Sequence, residues 1–447
     1  MADARGPILP PKAPARPVIW HEGAVITQGG LLQQAQQLAD RLPDRDFVIN
    51  ACATRYGFLQ ALLAALLRGQ TTILPSDRSP GMMAKLTADF PAIYSLNDGD
   101  PPFEAISTHD VPLCAPTTSD SGPLPQIAMD RDALVVFTSG STGAPMPHRK
   151  SPGLLATTGR LIAARFGLAE PDPVAVLATV PSQHMYGLET AVALPLWGGA
   201  SVHSAKPFYP ADIAAALAGL SAPRVLVTTP VHLNALVKTE TALPPLQKVI
   251  SATAPLSLEL AAEVERRYNT AVFEIFGFSE AGTVATRRTL EGPVWRNCDG
   301  LVLRQDADRW TFDAPHYPAP VAVNDVIEVL TPQSFTLRGR PTDVVNIAGK
   351  RASLSGLNSL LTALPGVQDG AFYLGNETDD KVARLVAFVV SQDLTAEAVR
   401  SALRREMDPA FLPRHIYFVP ELPRAETGKL PQSALAALAR SVTAGKA

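Results

Sequence analysis

Cysteine is scarce in this chain: 447 residues contain three, Cys52, Cys114 and Cys298, far apart and without Cys-x-x-Cys or Cys/His ligand spacing. That excludes a disulfide framework and a zinc site of the usual spacing, and makes reduced, cytoplasmic thiols the expected state. An excess of one charge is also missing, since 39 Lys and Arg stand against 42 Asp and Glu for a formal net charge of -3. No overall field draws such a chain to nucleic acid. Long apolar runs are absent as well: 57–67 and 190–197 are broken or short of the roughly 20 residues that span a bilayer, so membrane insertion is not expected. Residues 1–17, rich in Pro, Ala and charge, lack the apolar centre of a signal peptide. The oligomeric state leaves no mark in the sequence.

What is present is a large apolar complement, 46% hydrophobic against 18% charged, enough to bury cores in more than one domain. Helical spacing over 31–42 and 58–67, a strand at 70–75, and then strands at 174–179, 224–228, 248–251 and 271–276 alternating with helices at 231–238 and 257–268 predict an α/β fold with a mostly parallel sheet. Pro, Asp, Ser and Thr dominate 97–126, which reads as a connector. Short strands and turns fill 295–336, and a polar, proline-interrupted stretch at 337–343 marks a domain boundary. The division expected is 1–340 and 341–447, the second a small α+β unit with a strand at 382–390 and a helix at 396–406.

The chain is organised around Phe137-Thr138-Ser139-Gly140-Ser141-Thr142-Gly143-Ala144-Pro145, which follows the apolar 133–136 run and precedes His148-Arg149-Lys150. A buried strand there delivers a hydroxyl-rich loop to a sheet edge. Gly140 and Gly143 let the backbone approach an anion closely, and the Ser and Thr hydroxyls add donors, which suits a polyphosphate. No Gly-Lys-Ser/Thr follows, so it is not the other common phosphate loop. A flexible linker has a similar composition, and the remaining strand ends must decide. Four of them carry small or polar residues: the 181–187 turn with His184, Thr228-Thr229-Pro230, Ala252-Thr253-Ala254, and Gly277-Phe278-Ser279-Glu280. Strand ends of open α/β sheets line ligand crevices. Singly, each has a blander reading: a loop histidine is commonly a hydrogen-bonded surface residue, and Glu280 suits a helix N-terminus as well as it suits Mg²⁺ on a nucleotide.

Together these stretches resemble the adenylate-forming superfamily, which comprises acyl- and aryl-CoA synthetases, peptide-synthetase adenylation domains and luciferase. The order of motifs is kept over nearly the whole chain. Thr138-Ser139-Gly140-Ser141-Thr142-Gly143-x-Pro145 matches the phosphate loop, Ala252-Thr253-Ala254-Pro255-Leu256 the adenine segment, and Phe276-Gly277-Phe278-Ser279-Glu280 the Tyr-Gly-x-Thr-Glu motif. The resemblance implies a large N-terminal domain of doubly wound sheets with a β-rich segment, and a small mobile C-terminal domain. It implies that Phe276 lies against adenine, Ser279 contacts the α-phosphate, Glu280 holds Mg²⁺, and Asp325 and Arg340 serve the ribose and the hinge approach. His184, with Tyr186, Gly187 and Phe278, falls on the acyl pocket; Thr342 occupies the hinge, with Asp343 beside it; Gly349 and Lys350 match the loop that lines the thiol tunnel. Lys429 matches the lysine that bridges the carboxylate and the α-phosphate, where a cation offsets their mutual repulsion in the transition state.

The implied activity is ATP- and Mg²⁺-dependent formation of an acyl- or aryl-adenylate, followed by transfer to the thiol of coenzyme A or of the phosphopantetheine of an acyl carrier protein, the carrier being favoured. An aromatic acid such as a hydroxybenzoate, or a medium-chain fatty acid, suits the apolar pocket residues; no aspartate in the His184 turn is placed to hold an α-amine. A luciferase-like or β-lactone-forming second step, or a catalytically dead nucleotide-binding protein, are the competing readings. The sequence also departs from the pattern. Met146 stands where the phosphate loop normally supplies lysine, and Lys150 or Arg149 is the nearest source of that charge.

Overall fold

The computed structural model describes residues 4–444 apart from 12, 100–102, 104–105, 114–122, 140–144, 169–173, 308, 340–343, 348–349, 375–384 and 426–429. Two sheets face each other across a crevice. The first has six strands in the order Pro145–Lys150, Leu134–Ser139, Thr71–Leu74, Phe47–Asn50, Tyr94–Asn97 and Thr108–Asp110, parallel except for the first pair. The second has eleven. Its parallel centre runs Ala271–Phe278, Lys248–Ser251, Arg224–Thr228, Ala175–Ala178, Ser201–His203 and Pro17–His21, with antiparallel strands continuing it at both edges.

Helices fill the space between and around the sheets. Arg55–Arg68 starts at Thr54, whose side chain accepts the Gly57 N–H, and ends at left-handed Gly69; its residues 55–66 are all buried, so it forms the centre of a core rather than a surface layer. The guanidinium of Arg55 donates to the carbonyls of Ala178 at 2.6 Å, Val180 at 2.7 Å, His203 at 3.3 Å and Ala205. One buried side chain therefore ties the helix above the first sheet to two strand ends of the second. The apolar run around 190–197 begins as the short α-helix Met185–Leu188 and continues as the π-helix Glu189–Gly198, with Pro195 inside it. Pro152–Phe166 packs on it with the backbones in close approach, since a Cβ on Gly159 would lie 2.4 Å from the Ala193 carbonyl oxygen.

The C-terminal domain has its own core. Asp369–Leu374, Leu385–Val390 and His415–Phe418 form a sheet covered by Leu354–Ala363, Ala396–Glu406 and Gln432–Ala444, around Leu361, Phe372, Leu385, Val389 and Leu403. Arg424 makes a two-pronged pair with Asp369, both contacts at 2.7 Å, fixing the segment that leads toward Lys429. Lys238, closing the large-domain helix Pro230–Lys238, donates to the carbonyls of Val367 at 3.3 Å and Gln368 at 3.4 Å across the domain junction. Among the described residues no helix is long and apolar enough to cross a membrane.

Candidate active site

The carboxyl ends of Phe47–Asn50, Thr71–Leu74, Ala175–Ala178 and Ser201–His203 lead into the crevice. Leu134–Ser139 and Pro145–Lys150 pair antiparallel with Ser139 opposite Pro145. Thr138 and Ser139 therefore close a strand, while Gly140, Ser141, Thr142 and Gly143 lie outside the described residues. The 146–150 segment is an edge strand, a place where its prolines remove no ladder bond that the sheet interior needs. Arg149 pairs with Asp132 and is largely exposed. Lys150 points the other way: it is 2% exposed and its Nζ donates to the Glu280 carbonyl at 2.9 Å.

Glu280 sits in the turn of a β-hairpin, Ala271–Phe278 with Gly282–Arg288, and no helix starts there. Glu280 is exposed and Ser279 beside it is half-buried. The turn is held from beneath. Thr283 donates its N–H to both oxygens of Glu189 at 3.0 and 3.1 Å, and its hydroxyl to one of them at 2.6 Å. The Tyr317 hydroxyl donates to the Ala281 carbonyl at 2.9 Å. Burial raises the Glu189 pKa, opposed by the Thr283 bonds and the Lys150 charge; burial lowers that of Lys150, opposed by Glu189 and Glu280. His148, on the same strand face as Lys150, is held below the ordinary histidine value by burial, with Glu280 opposing.

The remaining strand ends contribute backbone and apolar surface. Ala252, Thr253 and Ala254 follow Lys248–Ser251, and Thr253 has a φ of 78°, a left-handed conformation that a β-branched residue rarely adopts. Phe276 is 8% exposed and packs on Phe278, Trp295 and Phe335, so most of its ring belongs to the aromatic core beneath the crevice. Gly277 is exposed, and a Cβ there would meet the Gly282 carbonyl at 2.4 Å. The Tyr186 hydroxyl donates to the Ile250 carbonyl at 2.8 Å, locking the Met185–Leu188 helix to the strand end before Ala252, and burial raises its pKa well above the ordinary value. Gly187 is buried where any Cβ would strike the Pro181 carbonyl.

A cleft of about 710 Å³ opens between the two sheets, lined by Asn50–Arg55, Ser76–Arg78, Gln183, His184, Lys206 and Ala425 of the small domain. Of the substrate residues chosen from sequence, His184 lines it; Tyr186, Gly187 and Phe278 do not. Asp325 is half-buried just before Val326–Thr331 at the outer edge of the eleven-stranded sheet. Arg340, Thr342, Gly349 and Lys429 lie outside the described residues, as does the Lys350 side chain. Sequence reasoning missed Arg55, Glu189 and Tyr317. A single carboxylate at the head of the apolar 188–197 run was the available signal for Glu189.

Among the described residues no group of three or more His, Cys, Asp or Glu side chains could cage a metal. An exposed Glu280 carboxylate with the Ser279 hydroxyl next to it fits Mg²⁺ instead, which keeps waters and takes one or two carboxylates plus phosphate oxygens. Comparison with known proteins decides the family. The family model for AMP-binding enzymes matches residues 91–307, and that for the AMP-binding enzyme C-terminal domain matches 357–429.

The chain belongs to the adenylate-forming superfamily. It is an enzyme of the AMP-forming ligase type, with the α/β large domain and small C-terminal domain that the motifs implied. It is 29% identical to a 4-coumarate–CoA ligase of Rhodobacter capsulatus over 307 residues, 68% of this chain and 76% of that enzyme. A 4-coumarate–CoA ligase of Cereibacter sphaeroides is 24% identical over 66% of this chain and 69% of its own length. The adenylate-forming fold is also that of O-succinylbenzoate coenzyme A synthetase from Bacillus subtilis bound to AMP, with a TM-score of 0.80, 17% identity, and 96% and 98% of the two chains covered. An anthranilate CoA ligase bound to anthranoyl-AMP superposes with a TM-score of 0.76 at 16% identity, covering 98% of this chain and 96% of that one.

Proposed function

We propose that this enzyme joins a carboxylic acid to a pantetheine thiol through an acyl- or aryl-adenylate, with a large domain of 1–340 and a small domain of 341–447. In the first step a carboxylate oxygen attacks the α-phosphorus of ATP and pyrophosphate leaves. In the second a thiolate attacks the adenylate carbonyl and AMP leaves. The observation that carries the reading is the exposed Glu280 in a hairpin turn of a chain that matches both AMP-binding domains.

The residues take these roles. The 138–143 loop binds the triphosphate with backbone N–H groups and hydroxyls, Ala252–Ala254 and Phe276–Gly277 border the base, Asp325 and Arg340 face the ribose, and Ser279 meets the α-phosphate. Glu280 would hold Mg²⁺, which would supply neutralisation of the phosphate charge. Lys429 bridges the attacking carboxylate and the α-phosphate. Ala425, which lines the cleft together with His184, supports this role for a lysine a few residues further along the chain. Rotation about 340–343 then exchanges Lys429 for the Gly349–Lys350 loop and opens the thiol route.

An aromatic acid is favoured, because 4-coumarate, O-succinylbenzoate and anthranilate name the substrates of the similar enzymes. The same names favour coenzyme A as acceptor over the carrier protein expected from sequence. A pyrophosphate-release screen over hydroxycinnamates, benzoates and medium-chain fatty acids tests the substrate class, followed by coenzyme A and a holo-carrier protein with the best acid. Release with aliphatic acids alone would reject the aromatic assignment.

A further inference from the structure

The substitution of Met146 for a phosphate-loop lysine directs attention to the nearest buried cation. Lys150 does not lie open to the crevice. Its ammonium is buried, within hydrogen-bond distance of the Glu280 main-chain carbonyl, and in the electrostatic range of Glu189. Three elements distant in sequence thus converge beneath one turn: the edge strand through Lys150 on the Glu280 carbonyl, the π-helix through Glu189 on Thr283, and the 314–317 turn through Tyr317 on the Ala281 carbonyl. Their targets are consecutive peptide groups at residues 280 to 283. Gly282 completes the fit: at φ 82°, a Cβ there would lie 2.1 Å from a Glu189 oxygen. A hairpin turn at a crevice ordinarily leaves its carbonyls to water, and its tip moves accordingly. Here buried side chains hold the main chain immediately beside an exposed carboxylate.

We propose that Lys150 is a positioning residue of the adenylation step: its buried ammonium, together with Glu189 and Tyr317, fixes the backbone of the Glu280 turn and so the direction from which the Glu280 carboxylate meets the metal–nucleotide. The proposal rests on the adenylation reading for its chemical consequence, but the clamp itself is a property of the protein without ligands. It assigns Lys150 a role different from a triphosphate contact. A charge with both a carbonyl acceptor and a carboxylate neighbour in low-dielectric surroundings is held in place rather than free to follow a substrate.

The test uses the full chain with Lys150→Met, which keeps the stem and removes the ammonium. Hydrogen–deuterium exchange on the metal-free protein should show the 277–284 amides exchanging about tenfold faster or more, with the two sheet cores unchanged. In pyrophosphate exchange, the Mg²⁺ concentration at half-maximal rate should rise by about fivefold or more while the KM for the acid stays at the wild-type value. Unchanged hydrogen exchange with a raised KM for ATP at saturating Mg²⁺ would place the ammonium on the triphosphate and overturn the proposal. Wild-type behaviour in both assays would overturn it equally. If Lys150→Met does not fold, Tyr317→Phe, which removes a single O–H donor, must show the same two changes in smaller measure, and their absence rejects the clamp. Wild-type protein inert with every acid would refute the adenylation reading while leaving the hydrogen-exchange result to judge the clamp alone.

Discussion

Arg55 offers the sharpest test of how the two sheets are joined. Its guanidinium supplies donors to four carbonyls at the ends of Ala175–Ala178 and Ser201–His203, and its own N–H donates to the Ser204 carbonyl at 3.0 Å. Arg55→Met keeps the alkyl stem and removes the four side-chain donors. At about 1 kcal/mol for each buried carbonyl left short of a partner, offset by about 1 kcal/mol for removing a desolvated charge, the loss is about 3 kcal/mol. For a chain of this size that corresponds to a melting temperature about 3 °C lower, read by circular dichroism or dye fluorescence. Arg55→Lys, with one ammonium in place of the planar fork, should fall between the two. Because Ala51–Arg55 and Pro181–His184 both line the cleft proposed to take the acid, the acid KM should rise in parallel. A melting temperature within about 1 °C of wild type would refute the view that this side chain carries the junction.

Other expectations follow from the same structure. Gly282→Ala should lower the pyrophosphate-exchange rate by about tenfold or more, because the added Cβ meets Glu189 and the φ of 82° is strained for alanine; wild-type kinetics would show that the turn yields freely. His232 is 3% exposed, its Nδ1 lies 3.0 Å from the Thr229 hydroxyl, and burial holds its pKa down to about 4 against 6.5 unfolded. The unfolded chain therefore binds the extra proton first, so the stability that neutral His232 confers is complete above pH 6.5 and is lost as pH falls toward 4, by about 3 kcal/mol. His232→Gln should flatten that acid limb in urea titrations run between pH 4 and 7; parallel limbs would contradict the assignment.

The parallel core was legible because its signals are local. Apolar runs of strand length alternating with amphipathic segments placed Arg224–Thr228, Lys248–Ser251 and Ala396–Glu406 to the residue, and the other expected elements within a few. The Pro145–Lys150 strand was not legible. As an edge strand with a polar outer face it shows no apolar alternation, and Met146-Pro147-His148-Arg149-Lys150 reads as a basic loop. Lys150 was noticed as a candidate phosphate contact, but its burial was not legible, because a lysine looks like a surface charge until a distant carbonyl and carboxylate are folded onto it. The π-helical stretch escaped for the opposite reason, since an all-apolar run has no periodicity to distinguish one helix type from another. For Glu280 the sequence left a helix terminus and a metal ligand equally open, and the hairpin removes the first. The motif residues were found because their order along the chain matched a family, which local physics alone did not require.

The central claim is that a carboxylic acid is activated by adenylation at the Glu280 turn with Lys429 as the bridging cation. The most direct measurement is acid-dependent turnover of ATP with nucleotide products resolved, in wild type and Lys429→Ala. AMP and pyrophosphate in equal amounts, only when the acid is present, with exchange reduced by about a hundredfold or more in the variant, is the predicted result. ADP and phosphate as products, or undiminished acid-dependent exchange in Lys429→Ala, would contradict it.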